Sequence, residues 1–446
     1  MEFADRVRAR EAVMAVVGLG YVGLPLATAL ARLGFPTLGI DIDAERVACV
    51  NAGMPYLADV SADELGPPVR EGKLRATTNY ARLVDTDVIF ICVPTPIKPN
   101  KSPDLSYVTA AAREIASRLR RGQLIILQST THPGTTEEEV LPLLEESGLK
   151  AGTDFHLAFV PERINPGDKH YSIANTPKVV GGYTPTCTEL AAIVMEQFGA
   201  RVMRVSSPRV AEMSKLLENI FRSVNISLVN EMALLAERMR IDFWEVIEAA
   251  STKPFGFMPF YPGPGVGGHC IPVDPFYLSA KAREYDFSAR FVELAAEINQ
   301  MMPYHTVEKT ANALASRGRS LNGAWIHVLG VAFKRDVDDA RNSPAERIIE
   351  LLLNAGARIT YSDPHVPRFA VGGSAIRPER TVLQAVDLAT FDLSAPDCIV
   401  IVTAHSAFDI DRVLREARLI VDSMNATGSM GRGDRRIFAI GRPNPA

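Results

Sequence analysis

Apolar and polar residues alternate in blocks along the first half of the chain. Such blocks, bounded by turn residues and separated by helix-spaced apolar positions, indicate strands that are buried on both faces of a parallel sheet. The apolar runs rich in β-branched residues lie at 12–17, 36–40, 87–93, 124–128 and 155–160. The pattern therefore predicts an α/β domain with helices on both sides of the sheet.

A different pattern begins after Ser207. Residues 210–239 contain neither proline nor glycine, and their apolar side chains recur at helical spacing. This segment predicts one helix of about 30 residues, longer than most globular helices. Lys215 and Asn219 are four residues apart and therefore project from one face of that helix. Further helices are predicted at 242–250 and 288–302.

A second block of alternating elements begins near residue 321. The segment 344–354 predicts a helix that Ser343 is placed to cap, and the apolar runs at 324–329, 357–361 and 398–402 predict strands. No glycine-rich turn follows the first of these strands. Positive charge follows it instead, which indicates either a loop that binds the phosphates of a second nucleotide or a solvated charged loop. The charged residues are Lys334, Arg335 and Arg341.

These patterns together predict an α/β fold with two Rossmann-like doubly wound domains joined by a central domain built on the long helix. A chain of 446 residues is too long for one hydrophobic core, which agrees with several domains. We expect the domains at 1–207, 208–304 and 320–446.

The turn after the first predicted strand has the sequence Gly18-Leu19-Gly20-Tyr21-Val22-Gly23, and the second strand ends at Asp41. Strand, glycine turn, helix and terminal acid together form the dinucleotide-binding fingerprint. We expect Gly18 to make the turn, Gly20 to admit the pyrophosphate and Gly23 to allow close packing of helix and strand. The diphosphate would then lie at the helix N-terminus, where Tyr21 and Val22 stand.

The residue at the end of the second strand predicts the choice of cofactor. Asp41 can bond both ribose hydroxyls but repels a 2′-phosphate, so the sequence favours NAD over NADP. Arg46 on the same loop weakens that inference. The loops that follow the next three strands should line the same crevice as the glycine turn. They contain Pro94, Thr95, Thr130 and Glu162.

Composition excludes several classes of function. The net charge of −4 and pI of about 6.1 give no indication of a nucleic-acid surface. No apolar run approaches a membrane span, and the acidic N-terminus lacks a signal-peptide start, so we expect a cytoplasmic protein without membrane contact. Five scattered cysteines show no metal-binding spacing, and we expect no metal. Cys49, Cys92 and Cys398 are predicted to lie in the core, and Cys187 at the surface.

The remaining cysteine, Cys270, directly follows a glycine-rich loop in the segment 262–275. Glycines at 263, 265, 267 and 268 allow the backbone to lie against a ligand, and flanking prolines stiffen it. A nucleophilic cysteine reacts as its thiolate. The alternative is a buried structural cysteine beside a turn, but the density of glycine favours a reactive thiol.

Nearly the whole chain resembles, in collinear order, the nucleotide-sugar 6-dehydrogenases of the UDP-glucose dehydrogenase superfamily. The sequence at 267–275, Gly-Gly-His-Cys-Ile-Pro-Val-Asp-Pro, is similar to the branch that oxidises UDP-N-acetylhexosamines, and 161–168 points to the same branch. The segments that carry the resemblance are 12–46, 94–96, 129–136, 161–163, 215–230, 262–277 and 333–344.

The resemblance implies a four-electron oxidation of a sugar C6 alcohol to a carboxylate with two NAD in succession. Lys215, Asn219 and Asp274 match positions that move or hold the hydroxyl proton and stabilise an alkoxide. Cys270 would add to the aldehyde, giving a thiohemiacetal and then a thioester. Glu162, Thr130 and Asp274 match positions that place the hydrolytic water.

The resemblance also implies a UDP-sugar substrate and a homodimer or higher homo-oligomer with the helix 210–239 at its core. The C-terminal domain would bind the UDP-sugar. Lys334 and Arg341 would clamp cofactor or sugar diphosphate, and Arg290 would reach a neighbouring subunit's substrate. The chain departs from the family at Met424 and Ala404, on the uridine side. The other expected substrate contacts are Arg163, Tyr261, Gly265 and Gly268.

The sequence leaves three alternatives open for the substrate and the function. The substrate could be UDP-glucose. The enzyme could be a two-electron dehydrogenase of the 6-phosphogluconate or hydroxyacid type, which gives Cys270 no role. A nucleotide-sensing protein that retains the fold is the non-enzyme alternative. The configuration of the sugar, gluco, galacto or manno, depends on hydroxyl contacts that the sequence does not specify.

Overall fold

The computed structural model describes residues 2–57, 59–98, 102–164 and 170–445. The chain divides into two compact units, one formed by Met1–Glu218 with Phe276–Ser288 and the other by Asn219–Pro275 with Ala289–Ala446. Half of the segment 161–168, which pointed to the N-acetylhexosamine branch, lies outside the described residues, from position 165 onwards.

The first unit is built on one eight-stranded sheet. Its strands are β1 Met14–Val17, β2 Thr37–Ile40, β3 Leu74–Thr77, β4 Val88–Ile91, β5 Leu124–Leu127, β6 His156–Phe159, β7 Lys178–Gly182 and β8 Val202–Val205. Its helices are α1 Phe3–Arg8, α2 Gly23–Arg32, α3 Ala44–Asn51, α4 Ala62–Arg70, α5 Ser106–Ala116, α6 Leu141–Glu145 and α7 Pro185–Glu196.

The strand order of this sheet is β3-β2-β1-β4-β5-β6-β7-β8, and all neighbours are parallel except β6 and β7. The first six strands have the order of a dinucleotide-binding domain. In β1, β4 and β5 every residue is buried, because helices cover both faces of the sheet. The carboxyl ends of β1, β4, β5 and β6 consequently lie at one edge, as the sequence predicted.

A long helix, α8 Pro208–Arg238, begins in the first unit and ends in the second. The second unit continues with α9 Phe243–Ser251, α10 Asp274–Ala282 and α11 Arg290–Ala315. Residues of α10 from Phe276 onwards belong to the first unit. The predicted 30-residue helix is confirmed, whereas α10 was not predicted and α11 extends 13 residues beyond the expected 302.

The rest of the second unit is a second α/β domain. Its strands are β9 Trp325–Leu329, β10 Arg358–Ser362, β11 Arg368–Val371, β12 Thr381–Gln384, β13 Cys398–Ile401, β14 Ile420–Asp422 and β15 Ile437–Ala439, and its helices are α12 Pro344–Asn354 and α13 Ile410–Glu416. The order β10-β9-β13-β14-β15 is parallel throughout, and β11 and β12 form an antiparallel pair. Ser343 caps α12, as predicted.

One prediction about the cysteines is wrong. Cys187 is buried, because it lies in the first turn of α7, which packs against the sheet, and its thiol accepts a hydrogen bond from Thr184 Oγ1 at 3.1 Å. Cys92 and Cys398 are buried as predicted, while Cys49 is only half-buried. Among the described helices, not one combines the length and apolar character that a membrane span requires.

Candidate active site

The glycine turn of the first unit has the geometry that each glycine was expected to provide. Gly18 has a φ of 91°, and a Cβ on it would lie 2.7 Å from the Cys92 carbonyl oxygen. A Cβ on Gly23 would lie 1.8 Å from the Gly18 carbonyl oxygen, so only glycine permits this contact between helix and turn. Around Gly20, by contrast, no described atom lies within 4 Å of the Cβ position.

This turn fits the diphosphate of a dinucleotide. A side chain at position 20 would fill the open space beside Gly20, and the diphosphate needs that space. No side chain of the described residues caps the N-terminus of α2 at Val22. The Leu24 N–H donates to the Gly20 carbonyl oxygen at 3.0 Å and Pro25 has no N–H, so among the described residues the Gly23 N–H is the amide of the first turn that is left for a ligand. Free amides at a helix N-terminus bind anions.

Asp41 lies at the carboxyl end of β2 and is almost fully buried, with 6% of its surface exposed. Its carboxylate accepts backbone hydrogen bonds from Leu19 at 2.7 Å and Asp43 at 2.9 Å. The Arg46 guanidinium lies 3.6 Å from Asp41 and 3.4 Å from Asp43. Two carboxylates therefore face one arginine, which leaves the strand end with net negative charge.

The loops after β4 and β5 meet beside the turn. Ser129 Oγ donates a hydrogen bond to the Val93 carbonyl oxygen at 2.7 Å and joins the two loops. Thr95 accepts a hydrogen bond from the Tyr277 hydroxyl through its carbonyl oxygen. Pro94 and Thr130 lie in these loops, and Thr130 is half-buried.

Glu162 follows β6 and is held by hydrogen bonds on both carboxylate oxygens. Oε1 accepts the backbone N–H groups of Arg163 at 2.6 Å and Ile164 at 2.8 Å, and Oε2 accepts the Gln128 amide at 3.1 Å. The alternative of a surface ion pair between Glu162 and Arg163 is wrong, because the Arg163 guanidinium lies 2.7 Å from Glu218 instead.

Sequence reasoning missed the lysine behind Glu162. Lys178 Nζ lies 3.6 Å from Glu162 Oε1, and the Lys178 side chain has no exposed surface. Burial lowers the pKa of Lys178, and the Glu162 charge opposes that shift. The signal was a single lysine at the start of the apolar strand β7, which the sequence shows but does not pair with an acid sixteen positions earlier.

Lys215 lies on α8 within the first unit and is 7% exposed. Within the described part of the chain, no carboxylate lies at ion-pair distance from it. The alternative of a solvated helix lysine is therefore wrong.

In the second unit the structure brings Asn219, Cys270 and Asp274 together. The Cys270 carbonyl oxygen accepts the Asp274 N–H at 2.8 Å, just before α10 begins. Asn219 Nδ2 donates a hydrogen bond to Asp274 Oδ2 at 2.5 Å, and both side chains are buried. Cys270 itself is only half-buried, which does not agree with a cysteine packed in the core.

Other predicted substrate residues are spread over the second unit. Gly265 has a φ of 127°, which a side chain would strain. Tyr261 is exposed and stacks on Trp244 with ring centroids 5.9 Å apart. Arg290 is exposed at the start of α11. Nothing in these positions by itself identifies a ligand.

In the positively charged loop after β9, Arg341 pairs with an acidic residue of the same loop, Asp339. The Arg341 guanidinium lies 2.6 Å from Asp339 and 3.3 Å from His269 Nδ1. Burial alone would raise the pKa of Asp339, but its hydrogen bonds with Arg341 bring it below the usual value. Lys334 is half-buried in the same loop.

One cluster in the second unit has the composition of a metal site. Asp336, His365 and His405 bring one ligand atom each within 4.8 Å of one another. Both ring nitrogens of His405 are already engaged, however, since Nδ1 lies 3.0 Å from the Asp336 N–H and Nε2 lies 3.0 Å from Asp363. His405 therefore holds the backbone that follows β9 through hydrogen bonds, and we assign no ion to the cluster.

Three consecutive segments of the chain match the UDP-glucose/GDP-mannose dehydrogenase family. They are its NAD binding domain at residues 12–199, its central domain at 209–301 and its UDP binding domain at 327–429.

Individual relatives cover almost the full length. The chain is 37% identical over 398 residues to the UDP-N-acetyl-D-glucosamine 6-dehydrogenase of Pseudomonas aeruginosa, covering 89% of this chain and 91% of that protein. It is 36% identical over 419 residues to the UDP-N-acetyl-D-mannosamine dehydrogenase of Pyrococcus horikoshii, covering 92% and 95%.

A solved structure of a UDP-D-ManNAc dehydrogenase from Pyrococcus horikoshii is similar to this structure with a TM-score of 0.86 at 34% identity, covering 96% of this chain and 99% of that one. The resemblance seen in the sequence is thereby confirmed. From its family segments and these N-acetylhexosamine dehydrogenase relatives, the chain belongs to the UDP-glucose/GDP-mannose dehydrogenase family and is an NAD-dependent nucleotide-sugar dehydrogenase.

Proposed function

We propose that this enzyme oxidises the C6 hydroxyl of a UDP-N-acetylhexosamine to the uronic acid in two steps, through covalent intermediates on Cys270. The observation that carries the proposal is that Cys270 is half-buried at the end of a glycine loop, one turn before α10 begins at Asp274. Helix N-termini favour anionic groups, and a thiolate is the form that attacks a carbonyl.

A nucleophile must add to the aldehyde carbon before a second hydride can leave it, and the Cys270 thiolate is the nucleophile in this proposal. In the first oxidation the carbon C6 loses a hydride and its hydroxyl group loses a proton. The Cys270 thiolate then adds to the aldehyde carbon, the resulting thiohemiacetal loses a second hydride and proton, and water cleaves the thioester to release carboxylate and thiol. NAD accepts both hydrides, so each sugar consumes two NAD and one water.

The protein groups have separate roles in this scheme. Asp274, buried and paired with Asn219, holds or accepts a proton, and Asn219 offers its amide to an alkoxide. Lys215 provides the positive charge for that alkoxide. Glu162 and Thr130 orient the water that cleaves the thioester. Glu162 is suited to this because three hydrogen-bond donors and the nearby Lys178 ammonium fix the position of its carboxylate.

The cofactor is NAD rather than NADP. The net negative charge of Asp41, Asp43 and Arg46 at the end of β2 opposes a 2′-phosphate, while Asp41 can accept ribose hydroxyls. The remaining cofactor contacts in this proposal are Gly18, Gly20, Tyr21, Val22, Gly23, Pro94, Thr95, Thr130, Glu162 and Arg341.

The substrate is a UDP-sugar with an N-acetyl group at C2. The relatives named above act on UDP-N-acetylglucosamine or UDP-N-acetylmannosamine, and the sequence around Cys270 is similar to that branch. The other proposed substrate contacts are Arg163, Arg290, Tyr261, Gly265, Gly268 and Lys334. We also propose the domain limits 1–207, 208–304 and 320–446, and the three family segments at 12–199, 209–301 and 327–429 support a division into three parts.

We further propose a homodimer or higher homo-oligomer formed through α8 and α11. Three apolar side chains seven residues apart on α8, Phe221, Leu228 and Leu235, are 46%, 51% and 48% exposed. Leu294 and Met301 repeat this spacing on α11, at 50% and 51%. A second copy of the chain is the occupant that such a repeated apolar face suits.

The deciding experiment counts NADH per substrate consumed, in a panel of UDP-GlcNAc, UDP-ManNAc, UDP-GalNAc and UDP-glucose. Two NADH per UDP-N-acetylhexosamine is the expected result. One NADH per sugar would identify a two-electron dehydrogenase, fastest turnover of UDP-glucose would identify the other branch, and binding without NADH would identify a sensor.

Cys270→Ser tests the covalent mechanism. Serine is far less readily ionised at neutral pH, so we expect UDP-sugar binding to remain and net formation of the uronic acid to stop. Cys398→Ser, at a buried cysteine in β13, is the matched control and should keep turnover. Unchanged acid production by Cys270→Ser would rule out a thioester.

A further inference from the structure

The backbone N–H and carbonyl groups of Gly268 are both held by the loop that follows β9. Its N–H donates a hydrogen bond to the Arg341 carbonyl oxygen at 3.0 Å, and its carbonyl oxygen accepts one from Asn342 Nδ2 at 2.9 Å. Gly268 stands two residues before Cys270. The position of the thiol therefore depends on a side chain that lies 74 residues after Gly268 in the chain, within the same unit.

The packing at this contact leaves no room for side chains on the cysteine loop. A Cβ on Gly267 would lie 2.8 Å from Phe333 Cβ and 3.0 Å from the Asn342 carbonyl oxygen. A Cβ on Gly268 would lie 2.9 Å from the Phe333 ring. Gly267 and Gly268, two of the four glycines in this loop, are therefore required by the close approach of the loop after β9.

Asn342 is itself fixed in place by the backbone on both sides. Its φ of 52° lies in the left-handed region, which asparagine adopts more readily than most residues. The preceding residue supplies the carbonyl that holds Gly268, and the following residue, Ser343, caps α12 through its hydroxyl. The start of α12 therefore fixes the backbone of Asn342 so that its side-chain amide points towards the Gly268 carbonyl oxygen.

The other end of the same loop is anchored in the sheet. Asp363, at the end of β10, accepts the backbone N–H groups of Val331 at 2.7 Å and Ala332 at 3.0 Å. His405 Nε2 bonds the same carboxylate at 3.0 Å, and His405 Nδ1 accepts the Asp336 N–H at 3.0 Å. A loop fixed at both ends is a rigid support for what it contacts.

We propose that Asn342 is a positioning residue that sets the Cys270 thiol for capture of the aldehyde; this inference rests on the proposed function. Asn342 belongs to the segment that matches the UDP binding domain, whereas Cys270 belongs to the central domain. Its hydrogen bond to Gly268 makes the placement of the nucleophile depend on the domain that binds the nucleotide. Loss of the bond leaves the first oxidation intact and slows the attack of the thiol.

The test uses two variants of the full-length enzyme. Asn342→Gly removes the amide donor but keeps a residue that tolerates a positive φ, so the backbone stays unstrained. Asn342→Asp keeps the shape and places a carboxylate against the Gly268 carbonyl oxygen. The reactions contain semicarbazide, which traps free aldehyde as a semicarbazone that mass spectrometry quantifies.

We expect kcat for uronic acid formation to fall about tenfold in Asn342→Gly and more in Asn342→Asp, since small misplacements of reacting groups cost one to two orders of magnitude. KM for the UDP-sugar should change by less than about twofold. Trapped aldehyde per turnover should rise above the wild-type level in both variants. A merely structural role would lower activity without releasing aldehyde.

Wild-type kcat and no excess aldehyde in both variants would overturn the inference, and so would a KM effect alone. If Asn342→Asp fails to fold, Asn342→Gly and the independent variant Gly267→Ala, whose Cβ would push the loop off Phe333, decide the matter. Failure of the proposed function looks different, because the wild-type enzyme would then form one NADH per sugar or Cys270→Ser would remain active.

Discussion

Lys178 Nζ lies 3.6 Å from Glu162 Oε1 at a place where the lysine side chain is completely buried. At that distance the two groups form an ion pair rather than a hydrogen bond, and Lys178 Nζ has no hydrogen-bond acceptor among the described residues. The backbone N–H groups and Gln128 hold the carboxylate from the other sides. Each charge of the pair therefore depends on its partner for compensation.

Removing one member of this ion pair should lower the free energy of unfolding more than removing both. We expect Lys178→Met or Glu162→Gln alone to lower the stability of the first unit by about 3 kcal/mol, because each leaves a buried charge without its counterpart. The double variant Lys178→Met/Glu162→Gln should regain a large part of that loss. Urea unfolding of the four proteins measures it, and strictly additive losses would show that the two charges do not interact.

Gly20 and Gly23 provide a matched pair for the cofactor site. Gly23→Ala places a methyl group 1.8 Å from the Gly18 carbonyl oxygen, so the turn must shift and the melting temperature should drop. Gly20→Ala places its methyl group in open space, so the fold should keep its melting temperature while NAD affinity falls at least about tenfold. Calorimetric titration with NAD measures the affinity. Wild-type affinity of Gly20→Ala would show that the diphosphate does not bind at this turn.

How far the sequence predicted these features depends on how local each one is. The glycine turn was predictable because Gly18, Gly20 and Gly23 lie within six residues of one another, directly after a strand and before a helix. The helix α8 was predictable because its apolar spacing persists for eight turns without a breaker. Lys178 was not, since its partner Glu162 is brought beside it only by the sheet.

Two other failures have the same physical origin. The helix α10 begins at Asp274 between two prolines, a context that indicates a turn unless the hydrogen bond from Asp274 N–H to the Cys270 carbonyl oxygen is known. Cys187 stands among threonines, which indicates exposure, but the packing of α7 on the sheet buries it. The contact between Asn342 and Gly268 joins residues 74 positions apart in the chain, and no local pattern predicts it.

Cofactor choice should respond to Asp41. In Asp41→Asn the charge that opposes a 2′-phosphate is removed, and Arg46 loses one of the two carboxylates within 4 Å. We expect the ratio of kcat/KM for NAD to kcat/KM for NADP to fall at least about tenfold, which corresponds to about 1.4 kcal/mol. Asp43→Asn, at the more exposed N-cap of α3, is the control and should change the ratio less. Equal ratios in all three enzymes would contradict the proposed role of Asp41.

The exposed apolar face of α8 should determine the oligomeric state. Leu228→Glu places a charge at the middle of the three apolar residues spaced by seven, so we expect light scattering to report the monomer mass where the wild type is a dimer or larger. Ile376→Glu, at a side chain 40% exposed elsewhere in the second unit, is the matched control and should leave the mass unchanged. A monomeric wild type, or an unaltered mass of Leu228→Glu, would contradict the proposed interface.

His327 should make the C-terminal α/β domain sensitive to acid. The ring has no exposed surface, and burial lowers its pKa from 6.5 to about 4. The neutral ring is fully satisfied: Thr360 Oγ1 lies 2.8 Å from Nδ1 while accepting the Trp325 indole N–H, and Ser362 Oγ lies 3.0 Å from Nε2 while donating to the Val386 carbonyl oxygen. A proton on Nδ1 would oppose the Thr360 hydroxyl proton.

The sign of the effect follows from the two pKa values. Below pH 6.5 the unfolded chain binds a proton at His327 that the folded domain does not, so stability falls as pH drops and the loss is complete near pH 4. A shift from 6.5 to about 4 corresponds to about 3 kcal/mol. Between pH 7 and pH 4.5 we expect His327→Gln to lose about 2–3 kcal/mol less than the wild type in urea unfolding, whereas His365→Gln, at an exposed histidine, should follow the wild type. Parallel losses in all three proteins would mean that His327 is protonated in the folded domain.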